Sequence, residues 1–290
     1  MSVRVGMAQA EIKAGEGDAE ANREQLDGAL SQLFEKGAEL VALPELAALG
    51  YFSVSRANIG ALSEPVPNGP SVRRWARIAR RYRGYVVGGL LERAGERFYN
   101  AAVLVGPDGQ VAGLYRKTHL YHWEQDLLTP GNGWVVAPLQ NGVRVGLLIC
   151  YDLRFPEAVR ELALRGADII VAPSTWTSVG KPVLWDDKGY CLHNYGVVAH
   201  AYANRVAMVA VDRVGQEANV TYLGNSMAVD PDGTIVAGPL SGTTPQQVVA
   251  ELDLAKARSK AVGPRNDLFR DRRPDLYTAT QRMMEGRSHD

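Results

Sequence analysis

The chain has 290 residues, of which 46% are hydrophobic and 22% charged, enough for one large α/β domain or two average domains. Thirty-two basic and 32 acidic residues give zero formal net charge, which argues against a nucleic-acid-binding surface, and the presence of only Cys150 and Cys191 excludes a disulfide framework. No apolar run approaches the roughly 20 residues that span a bilayer, and residues 1–9 lack a signal-peptide pattern, so a cytoplasmic protein without a membrane partner is expected.

The first half of the chain alternates apolar runs of strand length with segments of helical period. Strands are predicted over residues 3–9, 38–43 and 85–91, and helices over residues 21–36 and 71–83. Gly37 ends the first helix, Pro44 ends the second strand, and the turn Pro107-Asp108-Gly109 closes a hairpin. This half therefore has the predicted order β-α-β-α-β-β.

The second half of the chain repeats the pattern of the first. The sequence Val-Arg-Val-Gly begins at residues 3 and 143, and residues 37–44 match residues 166–173 position by position. Strands are predicted over residues 143–149, 167–172 and 206–212, helices over 156–165 and 190–204, and a hairpin turn over 231–233. The sequence thus predicts two similar halves, about 1–133 and 134–253.

Apolar strands without clear alternation indicate sheets that are covered on both faces. Two equivalent sheets with helices on one side each would cover their bare faces by packing together. We therefore expect an α/β fold, a four-layer α-β-β-α sandwich, in a single domain over residues 1–253. Residues 254–290 are polar and Arg-rich and form a C-terminal arm, which either stays solvated or packs across a subunit partner.

Three reactive side chains stand just beyond predicted strand ends, where ligands gather in α/β sheets. Cys150 follows the strand over residues 143–149 and precedes a helix start that favours a thiolate, although many cysteines are simply core residues. Glu45 follows Pro44 in apolar surroundings that suit a general base, with a helix N-terminal charge as the alternative. Lys117 ends the hairpin, where a lysine on its own is usually a solvated cation.

Together these three groups form a complete set for amide chemistry. A carboxylate takes the proton of a thiol, the thiolate attacks a carbon, and an ammonium stabilises the oxyanion that forms. The backbone N–H of Tyr151, at the start of a helix, is a candidate for the second oxyanion donor. This combination favours Glu45, Lys117 and Cys150 as catalytic residues.

Two other functions are alternatives to hydrolysis by these three residues. His119, two positions from Lys117, would suit a Cys–His hydrolase, but no orienting Asn or Asp can be singled out, and Glu45 would be left unexplained. A catalytically silent binding or scaffold subunit is the alternative from a different class. In that case Cys150 and Cys191 would react equally slowly with a thiol reagent, whereas an enzyme predicts fast, selective reaction of Cys150. Cys191 lies within the predicted helix over 190–204 and is interpreted as a core residue.

The sequence gives no sign of a cofactor. The histidine pairs His119 and His122, and His193 and His200, lack a third ligand for a metal ion. No glycine-rich phosphate-binding motif follows a strand, which disfavours a nucleotide-dependent enzyme. Neither a metal nor an organic cofactor is therefore expected.

Three separated motifs resemble those of the nitrilase, or carbon–nitrogen hydrolase, superfamily, in the order that the family has. They are Leu43-Pro44-Glu45, Tyr115-Arg116-Lys117-Thr118-His119-Leu120 and Ile149-Cys150-Tyr151-Asp152-Leu153-Arg154-Phe155-Pro156-Glu157. The resemblance covers nearly the whole chain and implies the α-β-β-α sandwich and a triad of Glu45, Lys117 and Cys150. It also implies that Glu124, six positions before Pro130-Gly131, holds the lysine. Residues 272–277 resemble the family's C-terminal arm, which favours a homodimer or larger assembly.

The third motif is similar to that of the amidase branches, whereas nitrilases more often have Cys-Trp-Glu and longer chains. The resemblance therefore implies a thiol-dependent hydrolase that cleaves a small amide through a thioester and releases ammonia and a carboxylic acid. A nitrilase or an N-carbamoyl amidohydrolase on the same triad is the alternative. Tyr51, Tyr151 and Trp176 are candidates for the substrate pocket, although Tyr51 and Trp176 are as readily explained as packing residues.

Overall fold

The computed structural model describes residues 1–15 and 17–277 of the chain. The strands are β1 Ser2–Glu11, β2 Leu40–Ala42, β3 Tyr85–Ala94, β4 Arg97–Val105, β5 Val111–Arg116, β6 Val135–Pro138, β7 Arg144–Leu147, β8 Ile169–Pro173, β9 Ala207–Val211, β10 Arg213–Val214, β11 Gln216–Glu217, β12 Val220–Thr221, β13 Met227–Val229, β14 Ile235–Ala237 and β15 Gln246–Asp253. The α-helices are α1 Asp18–Glu35, α2 Ile59–Leu62, α3 Pro70–Tyr82, α4 Glu124–Leu127, α5 Pro156–Leu164, α6 Leu192–Asn204 and α7 Ala255–Arg258. Short 3-10 helices cover Cys150–Arg154 and Pro274–Leu276.

Two mixed sheets form the centre of the fold. In the first sheet the strand order is β1-β2-β3-β4-β5, and β15 and β10 pair with different parts of β1 on the side away from β2. In the second sheet the order is β14-β13-β9-β8-β7-β6. The strands β1, β2 and β3 are parallel, as are β7, β8 and β9. Equivalent parallel strands therefore end at the same edge of each sheet, which is where ligands bind in α/β folds.

The layers follow from the alternation of side chains along β1. Val5 and Met7 belong to the apolar cluster that β1 shares with the second sheet, whereas Ala8 belongs to the cluster formed with α1 and α3. On the second sheet, α5 and α6 pack against β7 and β9 through buried side chains such as Leu162 and Val197. The helices cover the outer faces and the sheets pack on each other, which confirms the predicted α-β-β-α sandwich.

The two halves end their first helices in the same way. Gly37 and Gly166 have φ values of 88° and 85°, in the left-handed region that favours glycine. After each glycine, the next amide donates to the carbonyl five residues earlier, at 3.1 and 3.0 Å. This helix end leads directly into β2 in the first half and into β8 in the second.

The predicted hairpin turns are confirmed, since β4 and β5 pair across Pro107-Asp108-Gly109 and β13 and β14 pair across residues 231–233. Each half nevertheless has more strands than the predicted order β-α-β-α-β-β, because the strand before the hairpin also pairs with it. In the first half β4 pairs antiparallel with β3 across the turn Gly95-Glu96, and in the second half β13 lies between β9 and β14. Because Gly95-Glu96 lies within a charged stretch without proline, this hairpin gives a weak sequence signal. The structure also corrects the start of α6, since Cys191 is buried but lies one residue before the helix.

The described part of the C-terminal arm lies back on the helical layer of the second half. The Phe269 ring receives the Arg160 guanidinium at 5.4 Å and the Lys260 ammonium at 4.9 Å. Leu276 and Tyr277 remain 64% and 56% exposed. Among the helices of residues 1–15 and 17–277, none combines the length and apolar character that crossing a membrane requires.

Candidate active site

The ends of three strands bring Glu45, Lys117 and Cys150 to the same region of the molecule. Glu45 comes three residues after β2, Lys117 directly after β5, and Cys150 three residues after β7. The backbone N–H of Glu45 donates to the carbonyl oxygen of Ser174 at 3.3 Å. Since Ser174 follows β8, which is equivalent to β2 in the other half, this bond joins matching strand ends of the two sheets.

Lys117 is the centre of a buried ion cluster. Its ammonium lies 2.7 Å from Oε1 of Glu45 and 2.9 Å from Oε2 of Glu124, and none of the three side chains is exposed to solvent. Glu124 begins α4, and its Oε2 also accepts a hydrogen bond from the backbone N–H of Tyr121 at 2.7 Å. The two carboxylates fix the ammonium from both sides, so the lysine is held rather than mobile.

Asn100 on β4 joins the two carboxylates of this cluster. Its side-chain nitrogen donates to Oε1 of Glu45 at 2.7 Å and to Oε1 of Glu124 at 2.6 Å. Sequence analysis missed Asn100 because an isolated asparagine carries no spacing signal. Two carboxylates can lie this close only because the ammonium and the amide lie between them.

One carboxylate oxygen of the cluster is left without a partner. Oε2 of Glu45 is buried and makes no hydrogen bond to any residue that the structure describes. The Lys117 ammonium contacts Oε1 of Glu45 at 2.7 Å and both oxygens of Glu124, at 3.0 and 2.9 Å. The cluster therefore retains one acceptor for a proton, Oε2 of Glu45.

Cys150 has a backbone conformation that side-chain-bearing residues rarely adopt. It begins a 3-10 helix with φ of 43°, in the left-handed region. Asp152 stabilises this turn by accepting hydrogen bonds from the Ile149 amide at 3.0 Å and the Tyr115 hydroxyl at 2.8 Å. The residue as a whole is partly exposed, and its thiol donates to the Thr175 carbonyl oxygen, with a sulfur–oxygen distance of 3.6 Å.

The thiol of Cys150 is not preformed as a thiolate. Burial and the charge of Glu45 raise its pKa well above the usual range, and the opposing effect of the Lys117 ammonium is smaller. This result corrects the expectation that the helix start favours the thiolate, because burial and the Glu45 charge outweigh the Lys117 ammonium. The sulfur therefore needs a base at the moment when it attacks.

The charged groups of the cluster shift the pKa values of one another. Burial lowers the pKa of Lys117, but the charges of Glu124 and Glu45 outweigh burial and raise that pKa well above its ordinary value. Burial raises the pKa of Glu124, and the Lys117 ammonium offsets part of this rise. Lys117 is thus a permanent cation that two acidic groups share.

A cavity of about 500 Å³ opens beside Cys150. Tyr151 and Trp176 line it, and the Trp176 ring stacks on His193 with centroids 4.9 Å apart. Tyr51 is absent from the lining, since it is buried and its ring lies 5.5 Å from that of Trp123. Tyr51 therefore lies behind the site, while the two other pocket candidates face the cavity.

His119 contacts Asp152 and Phe155 rather than the thiol of Cys150. Its Nδ1 lies 2.8 Å from Oδ1 of Asp152, and its ring stacks on Phe155 at 3.7 Å. The structure thus supplies the orienting Asp that sequence analysis did not find, but Asp152 holds His119 as part of the Cys150 turn. Among residues 1–15 and 17–277, no group of three His, Cys, Asp or Glu side chains is arranged to hold a metal ion.

The model of the carbon-nitrogen hydrolase family matches residues 4–261 of the chain. The chain belongs to the carbon-nitrogen hydrolase family. This match confirms the resemblance seen in the three motifs. The protein is a hydrolase of amidase type that acts on C–N bonds other than peptide bonds, which excludes the scaffold alternative.

Relatives of this carbon-nitrogen hydrolase include both nitrilases and amidases. The chain is 33% identical to a nitrilase of Pyrococcus abyssi over 90% of this chain and 94% of that protein. A crystal structure of a carbon-nitrogen hydrolase from Helicobacter pylori G27 is similar with a TM-score of 0.84 and 27% identity, covering 97% of this chain and 99% of that one. A mutant of the Nesterenkonia sp. AN1 amidase, described as showing Michael addition of acrylamide at its active-site cysteine, has a TM-score of 0.76 and 26% identity, covering 94% and 98%.

Arg213 is a second buried residue of this hydrolase that sequence analysis missed. Its guanidinium donates to the carbonyl oxygens of Leu49 at 2.7 Å and Leu46 at 3.0 Å, and also to that of Glu45. Leu46 has a positive φ of 43°, so the chain turns sharply directly after Glu45. Arg213 stabilises this turn and thereby the position of the Glu45 side chain.

Proposed function

We propose that this hydrolase is a thiol-dependent amidase in which Cys150 is the nucleophile and Glu45 the general base. Lys117 stabilises the oxyanion, and Glu124 positions Lys117. The observation that carries the proposal is the buried Glu45–Lys117–Glu124 cluster, with contacts of 2.7 and 2.9 Å, whose charges act on the Cys150 thiol. The Nesterenkonia amidase, which reacts with acrylamide at its active-site cysteine, supports a cysteine nucleophile here.

The first half of the reaction forms a thioester. Oε2 of Glu45, which has no partner among the described residues, takes the proton of the Cys150 thiol as sulfur attacks the amide carbon. The carbonyl oxygen becomes an oxyanion, which the positive charge of Lys117 and the backbone N–H of Tyr151 stabilise. The C–N bond then breaks, and Glu45 returns the proton to the departing ammonia.

The second half of the reaction hydrolyses the thioester. Glu45 takes a proton from a water molecule as its oxygen attacks the carbonyl carbon. The second oxyanion uses the same donors as the first. Its collapse breaks the C–S bond, releases the carboxylic acid and returns the proton to the sulfur of Cys150, so the enzyme is restored without a cofactor.

Three aromatic residues shape the site in this proposal. Tyr151 and Trp176 form walls of the cavity against which the acyl chain packs. Tyr51 acts from behind the site, where its hydroxyl donates to the carbonyl oxygen of Tyr121 at 3.4 Å. Since Tyr121 also binds Glu124 through its backbone N–H, Tyr51 supports the segment that holds Glu124.

The proposal predicts a covalent acyl-enzyme on one cysteine. With a small amide, intact-protein mass spectrometry after rapid acid quenching is expected to detect the acyl adduct on the wild type, and peptide mapping to place it on Cys150. Cys150→Ala should lose the adduct and all measurable ammonia release while keeping its fold by circular dichroism. Cys191→Ala is the matched control, because Cys191 is buried and does not line the cavity.

Full turnover in Cys150→Ala would contradict covalent catalysis at this residue. A nitrile and its matching amide should be compared in the same assay, because the same triad attacks either carbon. Higher kcat/KM for the nitrile would replace the amidase assignment with the nitrilase alternative.

We also propose that residues 1–253 form one domain and that the arm from residue 254 packs at the interface of a homodimer. The exposed Leu276 and Tyr277 of the arm, and Tyr202 of α6 with 69% exposure, support a surface that another subunit covers.

A cytoplasmic location is proposed because the reaction needs a reduced thiol at Cys150. Cell fractionation would test it.

A further inference from the structure

One buried carboxyl group close to the site takes no part in the reaction described above. Asp212 directly follows β9 and is fully buried. Because β7, β8 and β9 are parallel neighbours, Asp212 stands at the same edge of the second sheet as Cys150. A buried ionisable group at that edge needs a structural reason, since burial of a carboxyl group is costly.

The carboxyl group of Asp212 bonds to the peptide group that holds the sulfur. Its Oδ1 accepts the backbone N–H of Trp176 at 2.9 Å. The carbonyl oxygen of the same peptide group belongs to Thr175 and accepts the Cys150 thiol, 3.6 Å from the sulfur. Among the described residues this carbonyl oxygen is the only hydrogen-bond acceptor of the thiol. Asp212 and Cys150 are thus bonded to opposite sides of one planar peptide group.

Asp212 is itself fixed from the first sheet. Its backbone N–H donates to Oγ of Ser226 at 2.9 Å, and the Ser226 hydroxyl donates to Oε1 of Gln9 at 2.9 Å. Gln9 lies on β1, is buried, and accepts the Ser226 backbone N–H as well, at 3.0 Å. A chain of hydrogen bonds therefore runs from the first sheet to the carboxyl group that holds the partner of the sulfur.

The surroundings of Asp212 favour a neutral carboxyl group. Burial raises the pKa of Asp212 well above its ordinary value, and the hydrogen bond from the Trp176 backbone offsets only part of this rise. Oδ2 is buried and has no hydrogen-bond partner among the described residues, so it is the oxygen that carries the proton. Oδ1 then accepts the Trp176 N–H without a second negative charge close to Glu45.

We propose that Asp212 is a positioning residue for the nucleophile, because its Oδ1 fixes the peptide group whose carbonyl oxygen fixes the Cys150 thiol. This inference rests on the proposed function of Cys150. A thiol with a fixed partner keeps one side-chain rotamer, and a small displacement of a reacting atom is costly in rate. The role requires only an acceptor oxygen. Asparagine, which has the same shape and a carbonyl oxygen, should therefore replace Asp212, whereas alanine should not.

The S–H stretching band of Cys150 reports this hydrogen bond without any turnover. The band lies in a spectral window free of other protein vibrations, and a hydrogen-bonded S–H vibrates at a lower frequency than a free one. Spectra are recorded on Cys191→Ala, in which Cys150 carries the only thiol of the chain. A single low-frequency band is expected. A band at the frequency of a free thiol would overturn the proposal before any change to Asp212.

Variants in the same Cys191→Ala background test the role of the carboxyl group. Asp212→Ala should move the band to higher frequency and reduce kcat by about 10- to 100-fold, because the peptide group loses its acceptor. Asp212→Asn should keep both the band and kcat. Asp168→Ala is the matched control, since Asp168 is a buried aspartate that accepts the Arg144 backbone N–H at 3.0 Å but precedes β8, at the opposite edge of the sheet. It should leave the band and kcat unchanged, whatever its effect on the free energy of unfolding.

The outcomes separate positioning from a general loss of structure. A lower kcat in Asp212→Ala without a shift of the band, or equal defects in Asp212→Asn and Asp212→Ala, would overturn the proposal. If Asp212→Ala does not fold, Asp212→Asn decides, because a retained low-frequency band supports the acceptor role and a free-thiol band refutes it. A band that shifts in Asp212→Ala and is restored in Asp212→Asn supports positioning of the sulfur even when no amide is hydrolysed, so failure of the amidase proposal remains distinguishable.

Discussion

At the scale of single residues, this hydrolase holds two carboxylates around one lysine in a buried site. An unpaired buried carboxylate is costly, so the Lys117 ammonium and the Asn100 amide both bond to Glu45 and Glu124. Of the four carboxylate oxygens of Glu45 and Glu124, only Oε2 of Glu45 has no partner among the described residues. Hydrogen bonds and ion pairs thus stabilise three of the four carboxylate oxygens, and the fourth stays available for proton transfer.

The charge of Glu45 is predicted to control both turnover and the acidity of the thiol. Glu45→Gln should reduce kcat by about 100- to 10,000-fold, because the amide cannot accept the proton. Since the charge of Glu45 contributes to the raised pKa of Cys150, its removal should lower that pKa. The rate of Cys150 alkylation by iodoacetamide, measured across pH, should therefore rise at lower pH in the variant than in the wild type.

Glu39→Gln provides the control for this experiment, because Glu39 is a partly exposed glutamate just before β2. It should leave both kcat and the alkylation profile unchanged. An alkylation profile of Glu45→Gln that moves to higher pH would contradict the assigned direction. Cys191, whose pKa burial raises to about 12, should stay unlabelled in all variants because it is inaccessible.

At the scale of secondary-structure elements, the close packing of β2 and β3 places Glu45. A Cβ atom on Gly89 of β3 would lie 2.6 Å from Cα of Glu45 and 2.7 Å from the Pro44 carbonyl oxygen. Both neighbours are backbone atoms, which cannot move aside as the end of a flexible side chain can. Gly89 is thus required by the approach of the Glu45 loop, and the Arg213 guanidinium holds the same loop from its other end.

Gly89→Ala is predicted to displace the Glu45 loop. The substitution should lower the free energy of unfolding, measured by urea denaturation, by about 1–3 kcal/mol. It should also reduce kcat, because the base is displaced. Gly28→Ala is the matched change, because a Cβ on Gly28 in α1 meets nothing within 4 Å. It should stabilise the protein by about 0.5–1 kcal/mol and leave kcat unchanged. Full activity in Gly89→Ala would show that the loop can shift without moving the base.

At the scale of the whole molecule, the duplicated halves build one site from two sheets. Glu45 and Lys117 come from the first half, whereas Cys150 and most of the cavity wall come from the second. The strand β15, from the end of the second half, pairs with β1 along residues 2–9 and ties the halves together. The catalytic groups therefore depend on packing between the halves, and neither half contains a complete site.

The proposed homodimer predicts a mass near twice the 31.5 kDa of one chain in light scattering after size-exclusion chromatography. Replacing the exposed Leu276 and Tyr277 of the arm together by Asp should shift the protein to the mass of one chain, because charges in an apolar interface are costly. Val236→Asp, at a 37% exposed position on β14, should leave the mass unchanged. A wild type with the mass of a single chain would refute the dimer.

By itself, the sequence determined the order of the elements, the duplication and the family. Apolar runs, helix-ending glycines and the three motifs are local properties, and local patterns decide secondary structure and mark reactive residues. They were sufficient to single out Glu45, Lys117 and Cys150 as a group, because each stands just beyond a predicted strand, whereas Glu124 followed only from the resemblance to the family.

Only the tertiary structure decided how that group is connected and what surrounds it. Asn100 and Arg213 reach the site from distant strands, so no sequence spacing could indicate them. The raised pKa of Cys150 arises from burial and the nearby charge of Glu45, which exist only once the two sheets pack together. Lys181 and Arg154 likewise line the same cavity only because a loop and a 3-10 turn face it.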